Sequence, residues 1–237
     1  MPQPAIYAHR GAWNSARENT IVAFNRAIEL GVDGIELDVR CTLDRVLVVF
    51  HDAKIQGRAI GRLPWAEIQT LDAEIPTLDQ VVGCCADRIL LDVEIKESGY
   101  EAEVLEALQP LNLETFVITS FRLEVIDRVK QLSPQITIGF LIDAKTIDLL
   151  PDANLLNEKL NAIAVDFLAP DWSILDHPIV AQLSPQIFWV WTVNEAIVMQ
   201  QLIAEARSRD RQIAAIITDE PEIGFAMASS RNAANPD

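Results

Sequence analysis

Acidic side chains alternate with apolar ones in an early stretch of the chain, Gly34–Asp52. Glu36, Asp38 and Arg40 follow one another at every second position, so on a β-strand all three project from the same face. Two carboxylates side by side on a strand repel each other unless a cation, a proton or a basic group lies between them. The spacing therefore predicts a positively charged partner at this point of the chain.

Two histidines stand at the ends of neighbouring apolar runs. His51 ends the run Val46–Phe50, and His9 is followed by Arg10 at the end of the first apolar run. Carboxylates bind hard cations, while arginine and imidazole contact phosphate and transfer protons. Together with the two acids, these residues indicate a site for a hard metal ion and a phosphate.

The elements that must position these side chains follow from a regular alternation of apolar runs and helical stretches. Continuous apolar runs are typical of parallel strands, which are buried on both faces. The predicted strands are Ala5–His9, Gly34–Val39, Ile89–Ile95, Phe116–Ser120, Ile136–Ile142, Ala162–Asp166, Ile187–Thr192 and Ala214–Thr218. The predicted helices are Thr20–Leu30, Leu78–Ala86, Tyr100–Leu108, Leu123–Leu132, Asp143–Leu149, Trp172–Leu183, Glu195–Ser208 and Pro221–Ser229. Eight such units in 237 residues predict an α/β fold, a (β/α)8 TIM barrel forming one domain over residues 1–237.

One segment, at about 41–75, interrupts the alternation as an insertion after the second strand. It contains the apolar run Val46–Phe50, which the polar turn Thr42–Arg45 joins to the second strand. This turn is too short for a parallel crossover, so we expect an antiparallel hairpin. The hairpin would fold His51 back towards the mouth of the barrel.

Active sites of such barrels lie at the carboxyl ends of the strands, and polar residues concentrate there. The third strand carries Asp92, Glu94 and Lys96 on one face. Glu36, Asp38 and Glu94 then form an all-oxygen site suited to Mg²⁺ or Ca²⁺. Each residue taken alone has a simpler interpretation, since strand-end carboxylates are often salt-bridge partners or helix caps. In that interpretation Lys96 only neutralises Glu94, and Trp191 fills the barrel core.

Composition limits the possible partners and the compartment. A formal charge of −16 argues against a nucleic-acid partner, which requires a basic surface. No apolar stretch reaches the roughly 20 residues that span a bilayer, and the first residues lack a basic leader with an apolar core. Three cysteines, two of them adjacent (Cys84 and Cys85), predict reduced, buried thiols in a cytoplasmic protein.

Taken together, the motifs resemble the glycerophosphodiester phosphodiesterase family. The resemblance covers nearly the whole chain in order, and its first block is the most specific part. The matching segments are His9-Arg10-Gly11, Glu18-Asn19-Thr20, Asp33–Val39, Thr42, Asp44, His51-Asp52, Ile75–Leu78, Glu94–Lys96, Ser120-Phe121, Trp191–Asn194 and Thr218–Pro221. The family has a (β/α)8 barrel with a small insertion after an early strand, in agreement with the predicted hairpin.

The resemblance implies hydrolysis of glycerophosphodiesters to glycerol 3-phosphate and an alcohol. It implies one divalent cation, Mg²⁺ or Ca²⁺, and assigns a role to each matching residue. These are Glu36, Asp38 and Glu94 as metal ligands, His9 and His51 as general acid and base, and Arg10, Lys96, Phe121 and Trp191 as phosphate and substrate contacts. Either histidine can be the acid, and either water or the glycerol hydroxyl can be the first nucleophile.

The sequence departs from the family pattern at two places. Ala53–Ile75 is shorter than the usual insertion, and Arg17 stands where a proline is common. A shorter insertion covers less of the head-group alcohol, so the selectivity for that alcohol is left open.

Three alternatives follow for the activity. One is a lysophospholipase-D-like enzyme with an apolar rim at Leu63, Trp65 and Phe121, and another is a catalytically silent phosphate-binding barrel. A third is an aldolase in which Lys96 forms a Schiff base, although two flanking acids would keep that lysine protonated.

Overall fold

Eight parallel strands close into a barrel in a computed structural model that describes residues 3–13, 16–149, 152–208 and 211–229. In chain order the described strands are β1 (Ala5–His9), β2 (Gly34–Cys41), β3 (Leu47–Val49), β4 (Lys54–Ile55), β5 (Arg58–Ala59), β6 (Leu90–Ile95), β7 (Phe116–Ser120), β8 (Ile138–Ile142), β9 (Phe167–Pro170), β10 (Ile187–Val190) and β11 (Gln212–Thr218), of which β3, β4 and β5 lie outside the barrel. The first strand pairs in parallel with both β11 and β2, which closes the circle β1-β2-β6-β7-β8-β9-β10-β11. The predicted TIM barrel is confirmed.

The helices alternate with the barrel strands along the chain and lie on the outside of the barrel. They are α1 (Ile21–Leu30), α2 (Trp65–Leu71), α3 (Leu78–Cys85), α4 (Glu101–Ala107), α5 (Leu123–Leu132), α6 (Ala144–Leu149), α7 (Ala153–Ile163), α8 (Ala196–Ser208) and α9 (Pro221–Ser229). Within the ranges given above, none of them has the length and apolar character to cross a membrane. Of the three cysteines, all unpaired, Cys85 is buried as expected, whereas Cys84 and Cys41 are partly exposed.

Local sequence explains where α1 begins and ends. The Thr20 side chain accepts a hydrogen bond from the backbone N–H of Ala23 at the N-cap, and Gly31 adopts the left-handed conformation at the C-cap. The helix buries Phe24 and Ala27 against the outside of the barrel. This orientation holds the loop between β1 and α1 beside the carboxyl ends of the strands.

Aromatic rings fill the barrel interior below that end. The Trp189 ring lies 4.7 Å from Tyr7 and 4.5 Å from Phe167, measured between ring centroids. Two glycines make room for these rings, because a Cβ at Gly34 would lie 2.1 Å from Tyr7 and a Cβ at Gly139 2.2 Å from Phe167. Apolar packing therefore fills this part of the barrel interior.

The predicted sixth strand, Ala162–Asp166, is wrong. Its first two residues belong to α7, whose N-cap Asp152 accepts a hydrogen bond from the backbone of Asn154, and the strand begins only at Phe167. The helix buries Leu156 and Leu160 one turn apart. This helical spacing outweighs the short apolar run that suggested a strand.

The predicted helix Trp172–Leu183 is also wrong. It is replaced by two 3-10 turns, Trp172–Ile174 and Val180–Gln182. Pro178 lies between them, and a proline both lacks the N–H that a helix needs and disfavours helical geometry in the preceding residue.

The insertion has the expected hairpin and additional structure. Val39 pairs with Val49 and Cys41 with Leu47, so β3 runs antiparallel to the outer end of β2. The small pair β4–β5 and helix α2 follow, and neither was predicted. These elements share a separate small core around Val48.

Candidate active site

Three carboxylates meet where β2 and β6 lie side by side. Glu36 and Asp38 project from β2, and the parallel register places Glu94 of β6 directly beside Asp38. Carboxylate oxygens of the three residues all lie within 4.8 Å of one another, and all three side chains are buried. The predicted acidic cluster is thus assembled by two adjacent strands.

The buried carboxyl groups of Glu36 and Glu94 are costly to ionise in the absence of a bound metal ion. Burial, reinforced by the charges of Asp38 and Glu94, raises the pKa of Glu36 well above its usual value, against the opposing effect of Arg10. Burial likewise raises the pKa of Glu94 to about 7. Since three hard oxygen donors converge in one buried place, these residues fit Mg²⁺ or Ca²⁺ better than a softer metal.

Lys96 lies against two of the three acids. Its Nζ is 2.7 Å from Oε1 of Glu94 and 3.0 Å from Oδ1 of Asp38. Burial alone would lower the pKa of Lys96, but the two carboxylates outweigh it and raise that pKa. The ammonium group therefore neutralises the cluster, as the simpler interpretation had it, and also lines the pocket described below. A protonated lysine is a poor Schiff-base nucleophile, which disfavours the aldolase alternative.

Arg10 brings a second cation to Asp38 from the loop after β1. Its Nε lies 3.2 Å from Asp38 Oδ2, and its Nη1 donates to Glu18 Oε2 at 2.9 Å. Asn19 also donates to Asp38 Oδ2, at 2.7 Å. For Asp38, burial would raise the pKa, but Lys96 and Arg10 outweigh it and hold the pKa well below its usual range. The segment Glu18-Asn19 thus supports the site from behind, a role that the sequence alone did not assign.

His9 is held by a carboxylate that the sequence analysis left without a role. Its Nδ1 lies 2.7 Å from Asp219 Oδ1, and its Nε2 lies 3.8 Å from Glu36 Oε2. Asn194 donates to the other oxygen of Asp219 at 2.7 Å. Burial would raise the pKa of Asp219, but these two partners outweigh it and lower that pKa. The sequence signal for both residues was their place at strand ends, in the segments Trp191–Asn194 and Thr218–Pro221.

His51 reaches the same site from the hairpin. Its Nδ1 lies 2.9 Å from Oδ1 of the adjacent Asp52, and about a third of its side chain is exposed. Burial lowers the pKa of His51, and the positive charges of Arg10 and Lys96 lower it further, while Asp38 opposes them. At neutral pH the ring is therefore held mostly in its uncharged form.

A pocket of about 280 Å³ opens at the mouth of the barrel and brings the predicted residues together. Its lining consists of His9, Arg10, Glu36, His51, Glu94, Lys96, Phe121, Leu141, Asp143, Trp191 and Ile217. Asp38 is not part of this lining and is only 1% exposed. The rings of Phe121 and Trp191 meet edge to face with 5.5 Å between centroids, and form an apolar wall. Sequence reasoning missed Leu141, Asp143 and Ile217.

A larger groove, of about 580 Å³, lies elsewhere on the surface, between α4 and α5. It is lined mainly by apolar side chains such as Leu105, Leu132 and Phe116, and it contains neither histidine. The convergence of ionisable groups, and not the size of a cavity, therefore identifies the mouth of the barrel as the candidate site.

Sequence comparison relates this chain to known proteins. The family model of the Glycerophosphoryl diester phosphodiesterase family matches residues 9–223. A glycerophosphodiester phosphodiesterase from Caldanaerobacter subterraneus subsp. tengcongensis is 30% identical over 250 residues, covering 92% of this chain and 94% of the relative. Another from Bacillus subtilis is 26% identical, covering 91% of this chain and 83% of the relative.

Solved structures share the fold. A glycerophosphodiester phosphodiesterase from Thermotoga maritima superposes with a TM-score of 0.78 at 26% identity, covering 96% of this chain and 99% of the other. A phosphodiesterase from Oleispira antarctica, solved with the product sn-glycerol-3-phosphate, has a TM-score of 0.75 at 24% identity, with coverage of 96% and 98%. With a family match over most of its length and a relative of this identity and coverage, the chain belongs to the glycerophosphoryl diester phosphodiesterase family.

Proposed function

We propose that this chain hydrolyses glycerophosphodiesters to glycerol 3-phosphate and an alcohol, with a divalent cation at Glu36, Asp38 and Glu94 and with His9 and His51 as acid and base. One observation carries the proposal: both imidazoles and two of the three acids line a single pocket of about 280 Å³, with Asp38 completing the acidic cluster. The family membership and the product found in the Oleispira antarctica relative support the same reaction.

The pocket has the groups needed to bind a phosphodiester. Arg10 and Lys96 present positive charge to the phosphate, although both are paired with acids of the cluster. A divalent cation bound by the acids would supply Lewis-acid stabilisation of the negative charge that develops on the phosphoryl oxygens. The edge-to-face pair Phe121–Trp191 gives the uncharged part of the substrate an apolar surface. Phosphate binding is thereby possible in a protein of net negative charge.

The two histidines provide both proton transfers. The lowered pKa of His51 favours its neutral form, which accepts a proton from the attacking hydroxyl group. The carboxylate of Asp219 at Nδ1 of His9 orients that ring, whose Nε2 donates a proton to the leaving alkoxide. The P–O bond to the alcohol breaks as the new P–O bond forms, and one proton enters and one leaves the pair of rings. The first nucleophile can be water or the neighbouring glycerol hydroxyl.

The experiment is a panel of glycerophosphodiesters assayed for glycerol 3-phosphate, with and without Mg²⁺ or Ca²⁺. Substitution of Glu36 or His51 by alanine should leave only a small residual turnover in a folded protein. Glu106→Ala, at an exposed position on α4, and His177→Ala, outside the pocket, are matched controls that should keep full activity. Most of the activity surviving in either E36A or H51A would refute the assigned roles.

Lysophospholipids are a less suitable substrate for this pocket. The expected apolar rim does not form, because Leu63 is only 2% exposed and packs into the core of the insertion, with Trp65 packed against that core. Of the three rim residues, only Phe121 lines the pocket. Parallel assays with glycerophosphocholine and a lysophospholipid should show a clear preference for the first. A catalytically silent barrel would show binding of the diester without release of glycerol 3-phosphate.

A further inference from the structure

Arg40 is the third side chain on the face of β2 that carries Glu36 and Asp38, yet it has no place in the reaction described so far. Arg40 is buried, with only 7% of its surface exposed to solvent. Unlike Arg10 and Lys96, it does not line the pocket. A buried guanidinium needs partners for its donors, and the identity of these partners indicates what the residue does.

One side of the guanidinium binds the backbone of the predicted catalytic hairpin. Nε of Arg40 donates to the carbonyl oxygen of His51 at 2.9 Å, and Nη2 donates to the same oxygen. Just before His51, the N–H of Phe50 donates to the carbonyl oxygen of Asp38 at 2.9 Å. Hydrogen bonds to β2 therefore fix the backbone on both sides of the His51 Cα. They define the position from which the imidazole side chain projects.

The other side of the guanidinium is held by the segment after β6. Nη1 of Arg40 pairs with Glu97. Oε2 of Glu97 lies 2.8 Å from the hydroxyl of Tyr100, and that hydroxyl lies 2.9 Å from the carbonyl oxygen of Val39. Tyr100 is buried, so this arrangement joins β2, the hairpin end and the start of α4 into one hydrogen-bonded unit.

We propose that Arg40 is a positioning residue that holds the backbone of His51 so that its imidazole faces the phosphorus, with Glu97 and Tyr100 fixing the guanidinium. This role rests on the proposed function, because it gives His51 a task that requires precise placement. Misplacing a catalytic group by about 1 Å can cost on the order of 100-fold in rate. Arg40 contacts the backbone oxygen of His51 and does not line the pocket. Its loss should therefore lower the catalytic rate without weakening substrate binding.

The test compares Arg40→Gln and Arg40→Lys with Arg45→Gln. Arg45 is a matched control on the same hairpin, since it pairs with Glu103 and donates to the carbonyl of Gly99 but does not contact His51. We expect kcat of R40Q to fall about 10- to 100-fold. KM and the Kd for glycerol 3-phosphate should stay within about twofold. R40K, which keeps one charged donor, should recover part of kcat, and R45Q should match the wild type.

A double-mutant cycle separates positioning from a general structural effect. In a His51→Ala background, Arg40→Gln should change the residual rate less than about twofold, because the group that it positions is gone. An equal loss in both backgrounds, an unchanged kcat in R40Q, or a parallel weakening of glycerol 3-phosphate binding would overturn the proposal. If R40Q fails to fold, Glu97→Gln replaces it, with a smaller loss in kcat and the same non-additivity expected.

A readout that needs no turnover keeps this inference separate from the proposed function. The imidazole Cε1–Hε1 resonance of His51 should shift in R40Q and stay in place in R45Q. If the wild-type protein hydrolyses none of the glycerophosphodiesters in the panel, the proposed reaction is refuted. If the His51 resonance does not shift in R40Q, the positioning role is refuted.

Discussion

The carboxylate of Asp219 lies against the imidazole of His9, with 2.7 Å between Oδ1 and Nδ1. The second histidine has the same arrangement, since Nδ1 of His51 lies 2.9 Å from Oδ1 of Asp52. A carboxylate at Nδ1 fixes the tautomer and the ring orientation, and leaves Nε2 of each ring as the nitrogen for proton exchange. The Asp219 contact comes from the barrel itself, because β1 and β11 are adjacent and Ala8 pairs with Thr218.

Replacing Asp219 by asparagine should lower kcat by about 10- to 100-fold, the range typical of lost support for a functional histidine. The amide keeps the size of the side chain but removes the carboxylate that orients the ring of His9. KM should change little, since Asp219 does not line the pocket. Steady-state kinetics on glycerophosphocholine provide the measurement. Asp152→Asn, at the exposed N-cap of α7 where asparagine also caps, should behave as the wild type.

The acidic cluster was predictable because its geometry follows from local rules. The spacing of Glu36 and Asp38 fixes their common face on any strand. Their neighbour Glu94 could be added because residues at the carboxyl ends of adjacent parallel strands meet at one mouth. The pairing of Asp38 with Glu94 across β2 and β6 confirms this reasoning.

The supporting contacts were less predictable because they depend on register and on side-chain direction. No local pattern shows that Asp219 and not Glu220 meets His9, or that Asn19 donates to Asp38. The misplaced sixth strand has a related cause. A short apolar run such as Ala162–Asp166 fits a helix end as well as a strand, and only packing against the barrel decides between them.

Binding of Mg²⁺ or Ca²⁺ should strengthen as the pH rises towards 7. The pKa of Glu94 is raised from 4.5 to about 7, so between these values the metal-free fold keeps a proton that the cation must displace. Isothermal titration calorimetry at about pH 5.5, 6.5 and 7.5 should show an increase approaching tenfold per pH unit for each displaced proton.

The same linkage affects stability. A carboxylate with a raised pKa stabilises the metal-free fold at low pH, and that contribution is lost as the pH rises through about 7. The cation should therefore raise Tm more at about pH 7.5 than at about pH 5.5. Glu94→Gln should flatten the dependence, whereas the exposed control Glu106→Gln should leave it intact. A pH-independent affinity in the wild type would contradict the raised pKa.

Replacing Asp92 by asparagine should stabilise the protein at neutral pH. Asp92 is fully buried and accepts a hydrogen bond from Thr119 at 2.7 Å, while its Oδ2 has no hydrogen-bond partner among the described residues. Burial raises its pKa from 3.8 to about 7, although the Thr119 hydrogen bond opposes this. The wild type should therefore lose up to roughly 1.4 kcal/mol of stability per pH unit across that interval.

Urea unfolding at a constant, saturating cation concentration tests this expectation. D92N should exceed the wild type in free energy of unfolding at about pH 8, and the difference should shrink as the pH falls towards about 4, below which the carboxyl group becomes protonated in the unfolded state as well. Asp152→Asn is the control for a change of charge at an exposed site. A constant difference between D92N and the wild type over the whole pH range would mean that the buried carboxyl group does not titrate as described.

Arg17 joins the loop after β1 to the insertion. Its guanidinium pairs with Asp72, lies 3.7 Å from Oε2 of Glu74, and has its carbon 6.0 Å from the centroid of the Phe50 ring. Phe50 precedes His51 directly, and the carbonyl oxygen of Arg17 accepts a hydrogen bond from Thr20 at 2.7 Å. Arg17 therefore links the loop after β1, through its carbonyl oxygen, to the insertion, through its guanidinium group.

Arg17→Ala should cost about 1 kcal/mol of stability, the combined effect of a partly exposed ion pair and a cation–π contact. It should also lower kcat/KM a few-fold and speed proteolysis within residues 53–75, because the insertion loses its tie to the barrel loop. Arg26→Ala is the control, since its pair with Glu222 is exposed and lies on the helical face of the barrel. If R17A and R26A have the same protease sensitivity and the same kcat/KM, Arg17 does not stabilise the insertion. The small core around Val48 would then be sufficient to hold it.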